Sequence, residues 1–167
     1  SLNFALLGNP GTGKTTVAKL LGGILKETGA REKDTFIQTT GEKLARMGAD
    51  KVAQLIDKAI GGVLFVDEAY ALEPAKNADA AAVAMQLLDV AEERRTEVTI
   101  ILAGYKDDIE RKLFDFNDGF GRRFNFQITF EDYTETELAE IFKSMCEDKK
   151  WPPEHSDVVS IAARRLA

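Results

Sequence analysis

Two short stretches of this 167-residue chain hold residue types whose spacing suits phosphate chemistry. The first, Gly8-Asn9-Pro10-Gly11-Thr12-Gly13-Lys14-Thr15, fits the pattern G-x-x-x-x-G-K-[ST]. Its glycines let the backbone turn tightly and bring N–H groups against phosphate oxygens. A helix opening near Lys14 would point its partial positive end at the same place. Lys14 is expected to reach the β- and γ-phosphates, and the Thr15 hydroxyl to ligate Mg²⁺. A glycine-rich turn can match such a pattern by accident. Here an apolar run precedes the loop and an amphipathic helix pattern follows it, which is the context the motif requires. The second stretch, Val63-Leu64-Phe65-Val66-Asp67-Glu68, ends an apolar run on two carboxylates. If the run is a strand, they lie at the edge where ligands bind in open α/β sheets. Asp67 is expected to hold Mg²⁺, directly or through its waters. Glu68 is placed to orient and activate an attacking water. The Asp-Glu pair favours hydrolysis by water over transfer to a small-molecule acceptor.

The elements that must position these residues are legible as alternating apolar periods. Residues 3–7, 35–40, 63–66, 98–103 and 124–130 read as strands. Runs as wholly apolar as 63–66 belong in a parallel sheet covered on both faces. Between them, residues 14–28 carry Val17, Leu20, Leu21, Ile24 and Leu25 on one expected helical face. Residues 50–60, 79–93 and 108–116 read as further helices. Strand–helix alternation implies βαβ units and a five-stranded parallel sheet. Beyond residue 130 the pattern is helical only. Thr134 and Glu137 make a capping box, and Leu138, Ile141, Phe142 and Met145 follow at helical spacing. Trp151-Pro152-Pro153 should end that helix and residues 158–166 begin another.

Composition narrows the class. An apolar content of 44% is ordinary for a globular fold, and the formal net charge is −6. That balance argues against a general nucleic-acid or membrane surface, which would show a basic patch. No apolar run reaches the length of a membrane span. The one cysteine, Cys146, and the one histidine, His155, make neither a disulfide nor a zinc site. Cys146 reads as a small buried residue in a helix, and a reducing, intracellular compartment fits. Both ends of the chain read as interruptions, with any targeting information expected outside them.

Three segments together resemble one family. Residues 8–16, Gly61-Gly62-Val63-Leu64-Phe65-Val66-Asp67-Glu68-Ala69-Tyr70 and Ile101-Leu102-Ala103-Gly104-Tyr105-Lys106-Asp107 are similar to the CbbX/CfxQ group of AAA+ ATPases. That group includes red-type Rubisco activases, and stage V sporulation protein K looks similar. The resemblance implies a P-loop NTPase fold, a three-layer αβα sandwich, with residues 1–130 as the nucleotide-binding core and 131–167 as the start of a small helical lid. It implies ATP held by Asn9, Pro10, Gly11, Thr12, Gly13, Lys14, Thr15 and Thr16, with Mg²⁺ on Thr15 and Asp67. It implies an arginine finger within Gly119-Phe120-Gly121-Arg122-Arg123-Phe124, best aligned at Arg123 with Arg122 as the alternative. It also implies a ring, a hexamer when full length, acting on a protein partner in a cytoplasmic or organellar compartment, plastids included.

The chain departs from that family in three places. Gly104 stands where a polar side chain is expected to position water, leaving Tyr105 or nothing for the role. Arg46-Met47-Gly48 stands where a pore loop carries an aromatic. A second sensor arginine would fall beyond Ala167. These departures keep a slow-hydrolysing nucleotide switch as a second reading. A nucleic-acid motor is disfavoured by the acidic balance.

Overall fold

The computed structural model describes residues 1–76 and 78–150. The expected break at Trp151, the helix over 158–166 and His155 lie outside the described residues. The chain divides into two compact units, Ser1–Phe130 and Glu131–Ala167.

The first unit is built on five parallel strands: β1 (Phe4–Gly8), β2 (Phe36–Thr40), β3 (Val63–Asp67), β4 (Thr99–Gly104) and β5 (Phe126–Phe130), in the order β2-β3-β4-β1-β5. Between them lie α1 (Lys14–Glu27), α2 (Gly41–Met47), α3 (Ala49–Ala59), α4 (Ala78–Glu93), α5 (Lys106–Ile109) and α6 (Gly119–Arg123). A single 3₁₀ turn, Ala69–Leu72, follows β3, and α5 runs into a π-helical turn, Glu110–Phe114.

Period-two alternation sends each central strand's side chains into two cores. Ala5, Leu7, Leu64, Val66, Ile100 and Leu102 face one cluster, where Leu44, Ile56, Val83, Leu87 and Phe120 cover them. Phe4, Leu6, Val63, Phe65, Ile101 and Ala103 face the other, against Ala18 and Leu25 of α1. Covering both faces explains why β3 and β4 read as unbroken apolar runs.

α1 buries only part of the expected stripe, with Leu25 buried and Leu21 packed against the core. Leu20 and Ile24 are 62% and 53% exposed, whereas Lys14, Ala18 and Leu25 are buried. Small residues let the helix approach the sheet closely. A Cβ on Gly22 would lie 3.3 Å from the Phe36 ring.

The expected helix over 50–60 is preceded by α2, a separate short helix capped by the Thr40 side chain, which accepts the Lys43 N–H at 3.2 Å. Strand β5 begins at Phe126, because residues 119–123 form α6 and Phe124 is fully buried beside it.

In the second unit, α7 (Glu135–Asp148) carries the expected capping box. The Glu137 N–H donates to Thr134 Oγ1 at 3.3 Å, and the Thr134 N–H donates to Glu137 Oε2 at 2.8 Å. Cys146 is buried there. Among the described residues, no helix is long and apolar enough to cross a membrane.

Candidate functional site

Register brings the two chemical stretches to one edge of the sheet. Leu7 pairs with Gly104 and Val66 with Leu102, so β1, β3 and β4 end together. Gly8 and the loop after it, Asp67 and Gly104 therefore meet where parallel sheets bind ligands.

The loop turns through Gly11 (φ 83°) and Gly13 (φ 90°), in the left-handed region where a side chain is strained. Gly13 is the N-cap of α1, and no side chain caps the helix, so its first N–H groups remain directed at the edge. Lys14 is 8% exposed and curls back over the loop. Its Nζ donates to the Gly8 carbonyl at 2.9 Å and the Asn9 carbonyl at 2.6 Å. Thr12 Oγ1 donates to the same Asn9 carbonyl at 2.8 Å, which ties the loop to itself.

Opposite, Asp67 Oδ1 accepts the Glu68 N–H at 2.9 Å. Glu68 is exposed and left-handed, φ 47° and ψ 41°, a costly conformation for a residue with a side chain. A neighbouring backbone fixes this turn. A Cβ on Gly41 would lie 2.6 Å from the Glu68 carbonyl oxygen, so α2 begins in direct contact with it.

These groups line a single cavity of about 360 Å³, in the usual range for a small-molecule site. The loop contributes Gly8, Pro10, Gly11 and Gly13; α1 contributes Lys14, Thr15 and Thr16. Asp67 and Glu68 come from the end of β3, and Tyr70, Gly104 and Tyr105 close the far side. Asn9 and Thr12 brace the loop without lining the cavity. The chemistry is that of a polyphosphate site: loop N–H groups, a helix N-terminus and one ammonium on one side, two carboxylates on the other. Among the described residues, no three His, Cys, Asp or Glu could hold a metal ion by themselves. Mg²⁺ commonly takes one or two protein ligands plus phosphate oxygens, so Thr15 and Asp67 fit that ion in company with a nucleotide.

Arg123 does not reach this cavity. It ends α6, half-buried, with Nη1 donating to the Gly119 carbonyl at 3.3 Å. Its Nε lies 3.3 Å from Glu92 Oε2, an ion pair by distance whose N–H is not aimed at the oxygen. Arg122 is exposed and its side chain makes no ion pair among the described residues. Arg46 and Met47 end α2 rather than lying in a loop. Arg46 pairs with Glu42 at 2.6 Å, Met47 packs on the core, and Gly48 (φ 76°) separates α2 from α3.

Tyr70 lines the cavity although nothing in its sequence position marks it for a role. Its ring lies 5.7 Å from that of Tyr105, and Lys112 Nζ lies 5.2 Å from its centroid. Burial first, then the charge of Glu68, pushes its phenol above the ordinary value.

The fold and the phosphate edge define a P-loop nucleotide hydrolase domain, and the chain belongs to the ATPase family associated with various cellular activities (AAA), whose model matches residues 4–130. Among curated proteins it is 40% identical to Protein CfxQ of Xanthobacter flavus, over 99% of this chain and 55% of that protein. It is 41% identical to a chloroplastic ribulose bisphosphate carboxylase/oxygenase activase of Cyanidioschyzon merolae, over 90% of the chain and 51% of the relative. Protein CbbX of Cereibacter sphaeroides is 39% identical over 90% of the chain and 50% of its own length. The chain thus spans about half the length of the curated relatives it matches. Among solved structures, a point mutant of RuvB from Thermotoga maritima shares the fold, with a TM-score of 0.73 at 24% identity over 98% of this chain and 49% of that one.

Proposed function

We propose that this domain binds ATP with Mg²⁺ at the loop following β1 and hydrolyses it, and that the whole protein uses the reaction to remodel a protein partner as a ring. The observation that carries this reading is the meeting of Lys14, Thr15, Asp67 and Glu68 in one cavity. Lys14 exchanges its bonds to the Gly8 and Asn9 carbonyls for the β- and γ-phosphate oxygens. Loop N–H groups and the start of α1 hold the remaining phosphate charge. The Thr15 hydroxyl and Asp67 would hold Mg²⁺, which would neutralise charge on the phosphates. Glu68 accepts the proton of a water whose oxygen bonds to the γ-phosphorus as the bond to the bridging oxygen of ADP breaks, giving ADP and inorganic phosphate.

The partner is read from the relatives, two of which bear the name activase for ribulose bisphosphate carboxylase/oxygenase. Their chloroplastic names support an organellar setting. The trans arginine is Arg123, released from Glu92 when a neighbouring subunit's phosphate competes for it. Arg122, already exposed, is the alternative.

ATP turnover per subunit against protein concentration, on a chain of the relatives' full length, tests the ring. A specific rate that rises to a plateau is expected, since an arginine supplied in trans completes each site. A flat, slow rate overturns it in favour of a nucleotide switch. That second reading draws on Arg46, paired with Glu42 where a gripping aromatic is expected.

A further inference from the structure

Three strands end at the phosphate edge, and they do not contribute equally. β1 leads into the loop that carries Lys14, and β3 ends on Asp67 and Glu68. β4 ends on Gly104, which brings no side chain to the cavity it lines. The space is already taken. A Cβ on Gly104 would lie 2.8 Å from Tyr70 Cδ1 and 3.2 Å from Ile109 Cγ1. The Tyr70 ring therefore stands over the end of β4, in the place that a side chain from that strand would fill.

Its position is held from several sides. The Tyr105 ring lies 5.7 Å away, and the Lys112 ammonium sits 5.2 Å from the Tyr70 centroid while pairing with Asp108 at 2.8 Å. Tyr70 also lines a neighbouring cavity of about 460 Å³ that shares Glu68 with the first and reaches Glu42 and Arg46 of α2. With its pKa raised by burial and by the charge of Glu68, the phenol keeps its proton at neutral pH. A residue carrying a hydrogen-bond donor thus stands two residues after Glu68, on the 3₁₀ turn that Glu68 caps, in the lining of the phosphate cavity.

We propose that Tyr70 is a positioning residue for ATP hydrolysis, supplying through its phenol the polar group that β4 lacks and holding the attacking water in line with Glu68. It rests on the reading of the cavity as the ATP site. The test therefore runs Glu68→Gln beside Tyr70→Phe, Tyr70→Ala and the double variant Tyr70→Ala/Gly104→Asn. kcat, KM for ATP and Tm are read for each. Tyr70→Phe is expected to lower kcat about 10-fold or more, with KM and Tm nearly unchanged, because only a polar contact to the reacting water is removed. Tyr70→Ala should lower kcat further. Adding an amide at position 104, in the space the ring vacates, should restore much of that loss. Full turnover in Tyr70→Phe, with turnover lost in Glu68→Gln, overturns the role of Tyr70 alone. Turnover lost only in Tyr70→Ala, together with a lower Tm and no rescue by Gly104→Asn, reduces the ring to packing and also overturns it. Full turnover in Glu68→Gln would instead remove the reading of the cavity on which the proposal rests.

Discussion

Lys14 and Arg31 are the same kind of group at opposite edges of one sheet. Both are buried cations, 8% and 4% exposed, and both donate to main-chain carbonyls. Arg31 lies at the edge where the strands begin. Its guanidinium donates to the carbonyls of Ala30, Arg95, Thr96 and Val98 at 2.6 to 3.3 Å, joining the turn after α1 to the approach to β4. Nearby Asn3, fully buried, accepts the Ile100 N–H at 2.8 Å and donates to the Ala91 carbonyl at 3.2 Å. Every one of these bonds ends on the protein itself. Lys14 differs in what lies beside it, a cavity shared with two carboxylates and a helix N-terminus. Burial and hydrogen bonds to main-chain carbonyls do not distinguish a staple from a ligand group; open space and opposing charge next to the cation do.

The comparison is broken or sharpened most strongly by removing each cation. Lys14→Ala should abolish measurable ATP turnover and weaken ATP binding by about 10²-fold or more, since charge held ready for the phosphates is lost. Its Tm should move little, and a titration with labelled nucleotide checks the first part. Arg31→Met should do the reverse. Stranding several buried carbonyls should cost roughly 3–5 kcal/mol in a denaturant titration, with turnover per folded molecule unchanged. Equal effects of the two on Tm would erase the distinction. A smaller effect separates strain from catalysis within the phosphate edge. Glu68→Gly should stabilise the fold by about 1 kcal/mol, because glycine adopts the left-handed backbone freely, while hydrolysis disappears. A lower Tm in that variant would mean that the Glu68 side chain holds the turn.

The smallest effect lies behind Tyr70. The Lys112 hydrogen bond, helped by Arg111, holds the Asp108 carboxyl below the usual carboxylate range. A depressed folded pKa gives stability that is present above the unfolded value and lost as pH falls through the folded one. Wild type should therefore exceed Asp108→Asn by no more than ~1 kcal/mol at neutral pH for this partly exposed pair, and the gap should close below about pH 4. Thermal melts of both across that range measure it.

Much of this is legible in the sequence. β3 and β4 announce themselves as unbroken apolar runs, and the loop at Gly8 names its own chemistry through spacing alone. What escaped reading shares one cause, contact geometry that spacing does not encode. The buried stripe of α1 uses Ala18 and Gly22, whereas a hydrophobic period selects the larger Leu20 and Ile24, which face outward. α2 is short and bounded by Gly41 and Gly48, so its period is too brief to register. Tyr70 reads as an ordinary ring after an acidic pair, and only the packing of its ring over Gly104 gives it a place in the site.

The central claim is that the cavity between the loop and β3 hydrolyses ATP through Glu68. It is tested most directly by measuring ATP affinity and ATP turnover together for wild type and Glu68→Gln in the presence of Mg²⁺. The structure predicts affinity within a few-fold of wild type and turnover lower by about 10²- to 10⁴-fold, because the amide cannot accept the proton of the attacking water. Undiminished turnover in Glu68→Gln, or affinity lost together with turnover, would contradict it.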